Sequence, residues 1–209
     1  AALLGASAVL TGGIGYLIAD EDMLKGVAPP ISDFRTWVRV NVGAMVKPYA
    51  EPTREALLPP WPLPGVPPGM PEPPTLVIDL EETLCCREWS RKHGWRYAKR
   101  PGFDAFLKEL SKYYEIVLFS SQHMYVVAPF LESVMQRGMI SHVLFRSDTK
   151  WRKGQCVKPL SLINRPKERL IAIDDEADAL QDDLRHALIV PPYSEPDAQD
   201  RVLSDLLPF

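Results

Sequence analysis

The sequence predicts an α/β domain: a parallel sheet with helices on both faces. Three observations carry this reading. Five apolar runs of strand length recur after residue 75, amphipathic helical spacing fills the gaps, and acids or hydroxyls stand just past the runs' carboxyl ends. The runs are Thr75 to Leu80, Glu115 to Phe119, His142 to Phe145, Leu170 to Ile173 and Ala187 to Val190. Such short, nearly continuous apolar segments suit strands buried on both faces. Pro101 suits a helix start, and Phe103, Phe106, Leu107 and Leu110 follow at i, i+3, i+4 and i+7. Val127, Phe130, Leu131 and Val134 repeat that spacing, with Pro129 expected to kink or restart the helix. Alternating strand and helix select a parallel sheet.

The segments before this domain differ in composition. Residues 1–19 carry no charge, and at a rise of about 1.5 Å per residue they span roughly 28 Å, close to the hydrocarbon thickness of a bilayer. One transmembrane helix is expected there. Ser7, Thr11, Gly15 and Ala19 place small side chains on one face of it, where a neighbouring helix can approach. Residues 20–74 form a Pro-rich linker, since 28–74 hold 13 of the 21 prolines. Proline fixes φ and removes a donor, so the run Pro59 to Pro74 is extended, a stiff tether lying along the domain. Within the linker, Ser32 to Met45 is expected to form a short helix capped by Ser32 or Asp33. The α/β domain occupies 75–209.

Charge narrows the function classes. With 24 Lys+Arg against 27 Asp+Glu, the net charge of -3 lacks the basic surplus that a phosphate backbone demands, so no nucleic-acid partner is expected. Cys85, Cys86 and Cys156 give neither a disulfide framework nor a metal-ligand spacing and read as free thiols in or near the core. The histidines are scattered without ligand spacing.

In open parallel sheets ligands bind at the carboxyl ends of the strands. There the first strand ends in Asp79-Leu80-Glu81-Glu82-Thr83, the second in Ser120-Ser121 and a later one in Asp174-Asp175, with Lys158 in the loop before it. Two carboxylates from separate strands, a hydroxyl and a lysine on one rim can hold a magnesium ion and a phosphoryl group. In this order the pieces resemble the haloacid dehalogenase superfamily, and its carboxy-terminal-domain-phosphatase-like branch in particular. That resemblance implies Asp79 as nucleophile, Glu81 at the general acid/base position, Ser120 and Lys158 as phosphate ligands, and Asp79, Asp174 and Asp175 as magnesium ligands. Glu81 departs from the pattern, which has aspartate there. One methylene moves a carboxyl by more than an ångström, and a misplacement of about 1 Å can cost on the order of a hundredfold in rate.

A second resemblance covers nearly the whole chain. The blocks Glu88-Trp89-Ser90-Arg91-Lys92-His93-Gly94-Trp95-Arg96, Lys99-Arg100-Pro101-Gly102 and Tyr114 to Ser121 are similar to the fifty-kilodalton presequence-receptor subunits of the mitochondrial inner-membrane import translocase. So are Leu144-Phe145-Arg146, Leu162 to Arg165 and Asp200 to Leu207. The resemblance implies a single-pass inner-membrane protein whose large domain lies in the intermembrane space. It would bind basic amphipathic presequences and hand them to channel subunits, using a catalytically inactive phosphatase-like fold that requires no cofactor. Two alternatives stand beside it: a magnesium-dependent aspartyl-phosphate protein phosphatase, and a structural accessory subunit of a respiratory or ATP-synthase complex.

Two charged stretches bear on the receptor reading. Residues 174–183 hold six acids, Asp174, Asp175, Glu176, Asp178, Asp182 and Asp183, and no base. They read either as an acidic rim complementary to Arg-rich presequences or as a solvated helix start favoured by the dipole. Arg87, Arg91, Lys92, Arg96, Lys99 and Arg100 interleave with Trp89, Trp95 and Tyr97 around His93-Gly94, the pattern of a protruding β-hairpin that meets translocase partners or anionic headgroups.

Overall fold

The structure, a computed structural model, describes residues 50–207 apart from 53, 68, 93, 153 and 154. The expected transmembrane helix (1–19) and the expected short helix from Ser32 to Met45 lie outside the described residues. Among the described residues no helix is long and apolar enough to cross a membrane.

The five apolar runs become β1 (Thr75–Asp79), β4 (Glu115–Phe119), β5 (His142–Leu144), β8 (Leu170–Asp174) and β9 (Ala187–Ile189). They form one parallel sheet in the order β5-β4-β1-β8-β9. β1 is central, with Thr75 in register with Glu115 on one side and Leu170 on the other, and both β1 and β4 are buried along their whole length. Alternate residues feed opposite cores. Leu76, Ile78, Ile116 and Leu118 point into one and Val77, Val117 and Phe119 into the other.

The first core is covered by helices. α1 (Phe103–Leu110) contributes Phe103, Phe106 and Leu107, α2 (Met124–Met135) contributes Val127, Leu131 and Val134, and α3 (Val202–Leu206) contributes Leu203. Pro101 lies outside α1, whose N-cap is Gly102 at φ +84. A Cβ there would come within 3.2 Å of Ser204 Oγ, so glycine serves both the left-handed turn and the close approach of α3. Pro129 does not restart α2: the helix runs on through it, with Pro129 sixth of its 12 residues and exposed, at the loss of the amide bond that another residue would make to the Tyr125 carbonyl.

The second core corrects the expectation of helices on both faces. Among the described residues no α-helix packs there. Leu57 and Leu58 from the Pro-rich segment cover it, with Leu160, Ile163 and Leu180 on or beside short 3-10 turns. Pro159 and Pro166 interrupt the connection from β5 to β8 too often for a longer helix. That connection instead carries an unanticipated hairpin, β6 (Lys150–Arg152) with β7 (Gln155–Val157), whose strands are too short to leave a period-2 signal. The anticipated hairpin is present as β2 (Cys85–Ser90) and β3 (Gly94–Lys99).

The Pro-rich segment is strapped on by directional bonds. The Leu57 amide donates to the Leu162 carbonyl (2.9 Å) and the Leu58 amide to Asn164 Oδ1 (3.2 Å). Arg165 Nη1 donates to the Pro59 carbonyl (2.9 Å). The rest of that buried guanidinium grips Glu115 at 2.7 and 2.8 Å, and Thr75 and His142 also bond this carboxylate. Burial alone would raise the Glu115 pKa, but the bonds from His142 and Arg165 and the Arg165 charge hold it down at about 2.

Two outcomes follow. Leu57→Ala in the full chain should cost about 2–5 kcal/mol in a denaturant titration, the range for emptying a fully buried leucine site. Glu115 has a depressed folded pKa, so its stabilisation is complete above the unfolded value of 4.5 and is lost as pH falls toward about 2. Wild-type stability should drop by on the order of 2–3 kcal/mol across that window. Glu115→Gln, weaker at neutral pH, should show a flatter acid limb in the same titrations.

Candidate functional site

At the carboxyl end of the central strand the chain turns back sharply. The amides of Leu84 and Cys85 both donate to the Leu80 carbonyl at 3.1 Å, and the Glu82 amide donates to the Cys85 carbonyl at 2.7 Å. Glu82 adopts φ +58, a left-handed conformation that few residues other than glycine take up, and it lines the cleft this turn creates. The turn folds Glu81 and Glu82 over the strand ends beside Asp79.

β1 and β8 are neighbours in register, so Asp79 and Asp174 emerge side by side. Lys158, just after β7, reaches between them with Nζ 2.5 Å from Asp79 Oδ1 and 2.6 Å from Asp174 Oδ2, all three groups buried. Burial alone would lower the lysine pKa, but the two carboxylates outweigh it and hold the ammonium protonated well above its ordinary value. Asp79 is pushed up by burial, against the pull of Lys158 and with the help of Asp174 and Glu81. Asp175 is pushed up by burial too, while its Oδ1 accepts the Thr83 hydroxyl at 3.0 Å.

Glu81 is held differently. Its carboxylate accepts the Ser120 hydroxyl at 2.7 and 3.0 Å and the Ser121 amide at 3.2 Å, and Ser120 Oγ in turn accepts the Gln122 amide at 3.0 Å. This clasp joins the turn after β1 to the loop after β4. Burial raises the Glu81 pKa, opposed by the Ser120 bond. Cys85 faces the same cleft but donates its thiol to the Leu80 carbonyl, and burial pushes the thiol far up, so it stays neutral and unreactive.

The cleft has a volume of about 310 Å³. Six carboxylates line it, Asp79, Glu81, Glu82, Asp174, Asp175 and Glu176, against the cations Lys158 and Arg87. Trp95, 73% exposed, forms its aromatic wall. The predicted residues are therefore largely brought together. Ser120 is the partial exception: it is buried beneath the cleft and bonded to Glu81, and Ser121 takes its place on the wall. The acidic run divides. Asp174, Asp175 and Glu176 face the cleft, whereas Asp178 bonds Gln155, Asp182 pairs with Arg152 at 2.9 Å and buried Asp183 pairs with Lys167 at 3.0 Å. The run is an extended residue followed by a 3-10 turn from Ala177 to Leu180, so its acids point in several directions.

Arg87, Trp95 and Thr83 were not singled out as site residues from sequence. Arg87 and Trp95 share a hairpin face with buried Cys85, a placement that period-2 alternation alone could reveal. Thr83 closes the run Asp79-Leu80-Glu81-Glu82-Thr83 that ends the first strand.

One oxygen from each of Asp79, Asp174 and Asp175 can be chosen so that all three lie within 4.8 Å of one another. These are hard oxygen donors, and with Glu81 they set four carboxylates against one ammonium. The set fits magnesium by donor type and by charge.

One test concerns the surplus charge. The folded pKa of Glu81 lies above its unfolded value, so the ionised group costs stability at neutral pH, and that cost disappears below pH 4.5. Glu81→Gln, whose amide oxygen can still accept from Ser120, should raise the melting temperature at pH 7 and leave it unchanged near pH 4.

Residues 74–209 match the family model described as NLI interacting factor-like phosphatase. Among curated proteins, a Phytophthora infestans relative named mitochondrial import inner membrane translocase subunit TIM50 is 42% identical over 180 residues, covering 86% of this chain and 44% of the relative. An Arabidopsis thaliana protein of the same name is 39% identical over 174 residues, covering 82% and 44%. The chain thus spans less than half the length of each. The fission yeast RNA polymerase II CTD phosphatase Fcp1 aligns in structure with a TM-score of 0.45 and 16% identity, over 64% of this chain and 50% of that one. The motif order at the strand ends and a family match over well over half of the chain agree: the chain belongs to the NLI interacting factor-like phosphatase family.

Proposed function

We propose that this chain is a subunit of the mitochondrial inner-membrane import translocase whose domain receives basic amphipathic targeting peptides without phosphoryl transfer. One observation carries the reading: a cleft with six carboxylates against two cations, walled by an exposed tryptophan. Such a cleft favours Arg- and Lys-bearing ligands and repels anionic ones. The relatives' names support a mitochondrial setting, with the chain in the inner membrane and its domain in the intermembrane space.

Recognition follows from two adjoining surfaces. Arg87 and Trp95 border both the acidic cleft and an apolar trough lined by Tyr97, Val126, Pro129 and Phe130. An amphipathic helix laid across them sets its basic face toward Asp175 and Glu176 and its apolar face in the trough. Attraction among partly solvated charges speeds encounter more than it deepens affinity, which suits a carrier that must release its cargo to channel subunits. Glu81 takes no part in acid/base chemistry here, because its carboxylate is committed to Ser120 and Ser121.

A second reading, a magnesium-dependent phosphatase, draws on the convergence of Asp79, Asp174 and Asp175 beside Lys158. Magnesium held by those three carboxylates would offset phosphoryl charge and polarise the phosphorus centre. Asp79 would then be the attacking carboxylate and Lys158 would orient a phosphoryl oxygen, while Glu81 would have to leave its clasp to move a proton.

Fluorescence anisotropy with the full chain separates the two. A labelled basic amphipathic peptide should bind saturably and better than a scrambled peptide of equal charge. Asp175→Asn with Glu176→Gln should weaken it roughly three- to tenfold at low salt and less at high salt. No preference over the scramble, together with magnesium-dependent phosphopeptide turnover abolished by Asp79→Asn, would replace the receptor reading with the enzyme.

A further inference from the structure

Arg54 precedes the segment matched to the family, yet it is bonded into the cleft's supports. Its Nε and Nη2 donate to Asp148 Oδ1 at 3.2 and 2.8 Å. The arginine side chain is half-exposed (51%), whereas Asp148 is buried. Asp148 Oδ2 accepts the Phe145 amide at 3.0 Å, and the Asp148 amide donates back to the Phe145 carbonyl at 2.8 Å. Asp148 thus rivets the loop leaving β5. The next amide in that loop, Arg146, donates to the Gln122 carbonyl at 3.0 Å, and the Gln122 amide donates to Ser120 Oγ, whose hydroxyl is held by Glu81. Hydrogen bonds, joined by the peptide link from Phe145 to Arg146, therefore run from Arg54 to the cleft wall at Ser121 and Gln122.

We propose that Arg54 is a positioning residue for the acidic cleft: through Asp148 and the β5 exit loop it fixes the β4 exit loop, Ser120 to Gln122, where Glu81 clasps it. A buried carboxylate deprived of its cation is costly, so Asp148 holds its geometry only while Arg54 is in place. The loop after β5 then has one arrangement, and the loop after β4 inherits it. Such contiguous bonding is the physical means by which one site biases another. The inference rests on this bonding and not on what the cleft binds, so it stands or falls separately from the receptor reading.

Amide-resolved hydrogen exchange on the full chain tests it, comparing wild type, Arg54→Ala and Arg54→Lys. Arg54→Ala should speed exchange at the Phe145, Arg146, Ser121 and Gln122 amides by about tenfold, the scale of one lost charge-assisted bond expressed as local opening. The strand amides of Val77 and Val117 should keep their wild-type rates. Arg54→Lys, which keeps the charge without the forked donor, should fall between. Faster exchange confined to Phe145 and Arg146 would overturn the proposal, since Arg54 would then hold only its own loop. Equal acceleration at Val77 and Val117 would also overturn it, showing a contribution to general stability alone.

Discussion

The contact on which the functional end of this domain depends is the buried ammonium of Lys158 between Asp79 and Asp174. Two adjacent parallel strands that each end in aspartate bring like charges together in a place water hardly reaches. Without a cation there, one carboxyl would have to take up a proton or the strand ends would separate. Lys158 arrives from a different layer, with its amide bonded to the Ala179 carbonyl, so the lysine also ties the 3-10 turn after β8 to the sheet. Glu81, Glu82, Asp175 and Glu176 can gather around this centre because its two most buried acids are already countered.

The two ends of the sheet solve the same electrostatic problem in opposite ways. At the amino end, Glu115 meets a buried arginine, a histidine and a threonine hydroxyl, and its carboxyl pKa is held down. At the carboxyl end, acids outnumber bases and several carboxyl pKa values are pushed upward. The first arrangement adds to stability and the second subtracts from it. Surplus charge concentrated in a cleft, where it costs folding free energy, is the mark of a surface kept for a ligand. The sign of that charge complements a cation, as both the proposed receptor reading and the magnesium reading require.

How much of this was legible in the sequence depended on the range of each interaction. The five strands, the hairpin around Gly94 and the apolar faces of α1 and α2 are written in local periodicity and were found with errors of a residue or two. The strand-end rule then located Asp79, Lys158, Asp174 and Asp175. What escaped has no local signature. Arg165 and Glu115 lie 50 residues apart and Arg100 and Asp200 lie 100 apart, and no period links such partners. The cover of the second sheet face was read as helix because α/β patterning presumes one, whereas Leu57, Leu58 and 3-10 turns sufficed. The acidic run from 174 to 183 looked continuous, but a chain that is not one helix scatters its side chains.

Glu81 shows how a single methylene can alter the use of an inherited site. An aspartate at this position would end short of the β4 loop. The longer side chain reaches across and accepts both the Ser120 hydroxyl and the Ser121 amide. Each bond makes the carboxylate a better fastening and a poorer proton carrier, because a group that shuttles protons must be able to reach its substrate. Ser120 itself lies buried beneath the cleft, with its amide on the Leu144 carbonyl and its hydroxyl on Glu81. All four side chains expected to handle a phosphoryl group are thus bonded in pairs, Glu81 with Ser120 and Asp79 with Lys158, and Asp174 takes the other side of the lysine. On the proposed receptor reading the clasp keeps the acidic cleft in one arrangement, and on the phosphatase reading Glu81 would have to leave it to move a proton.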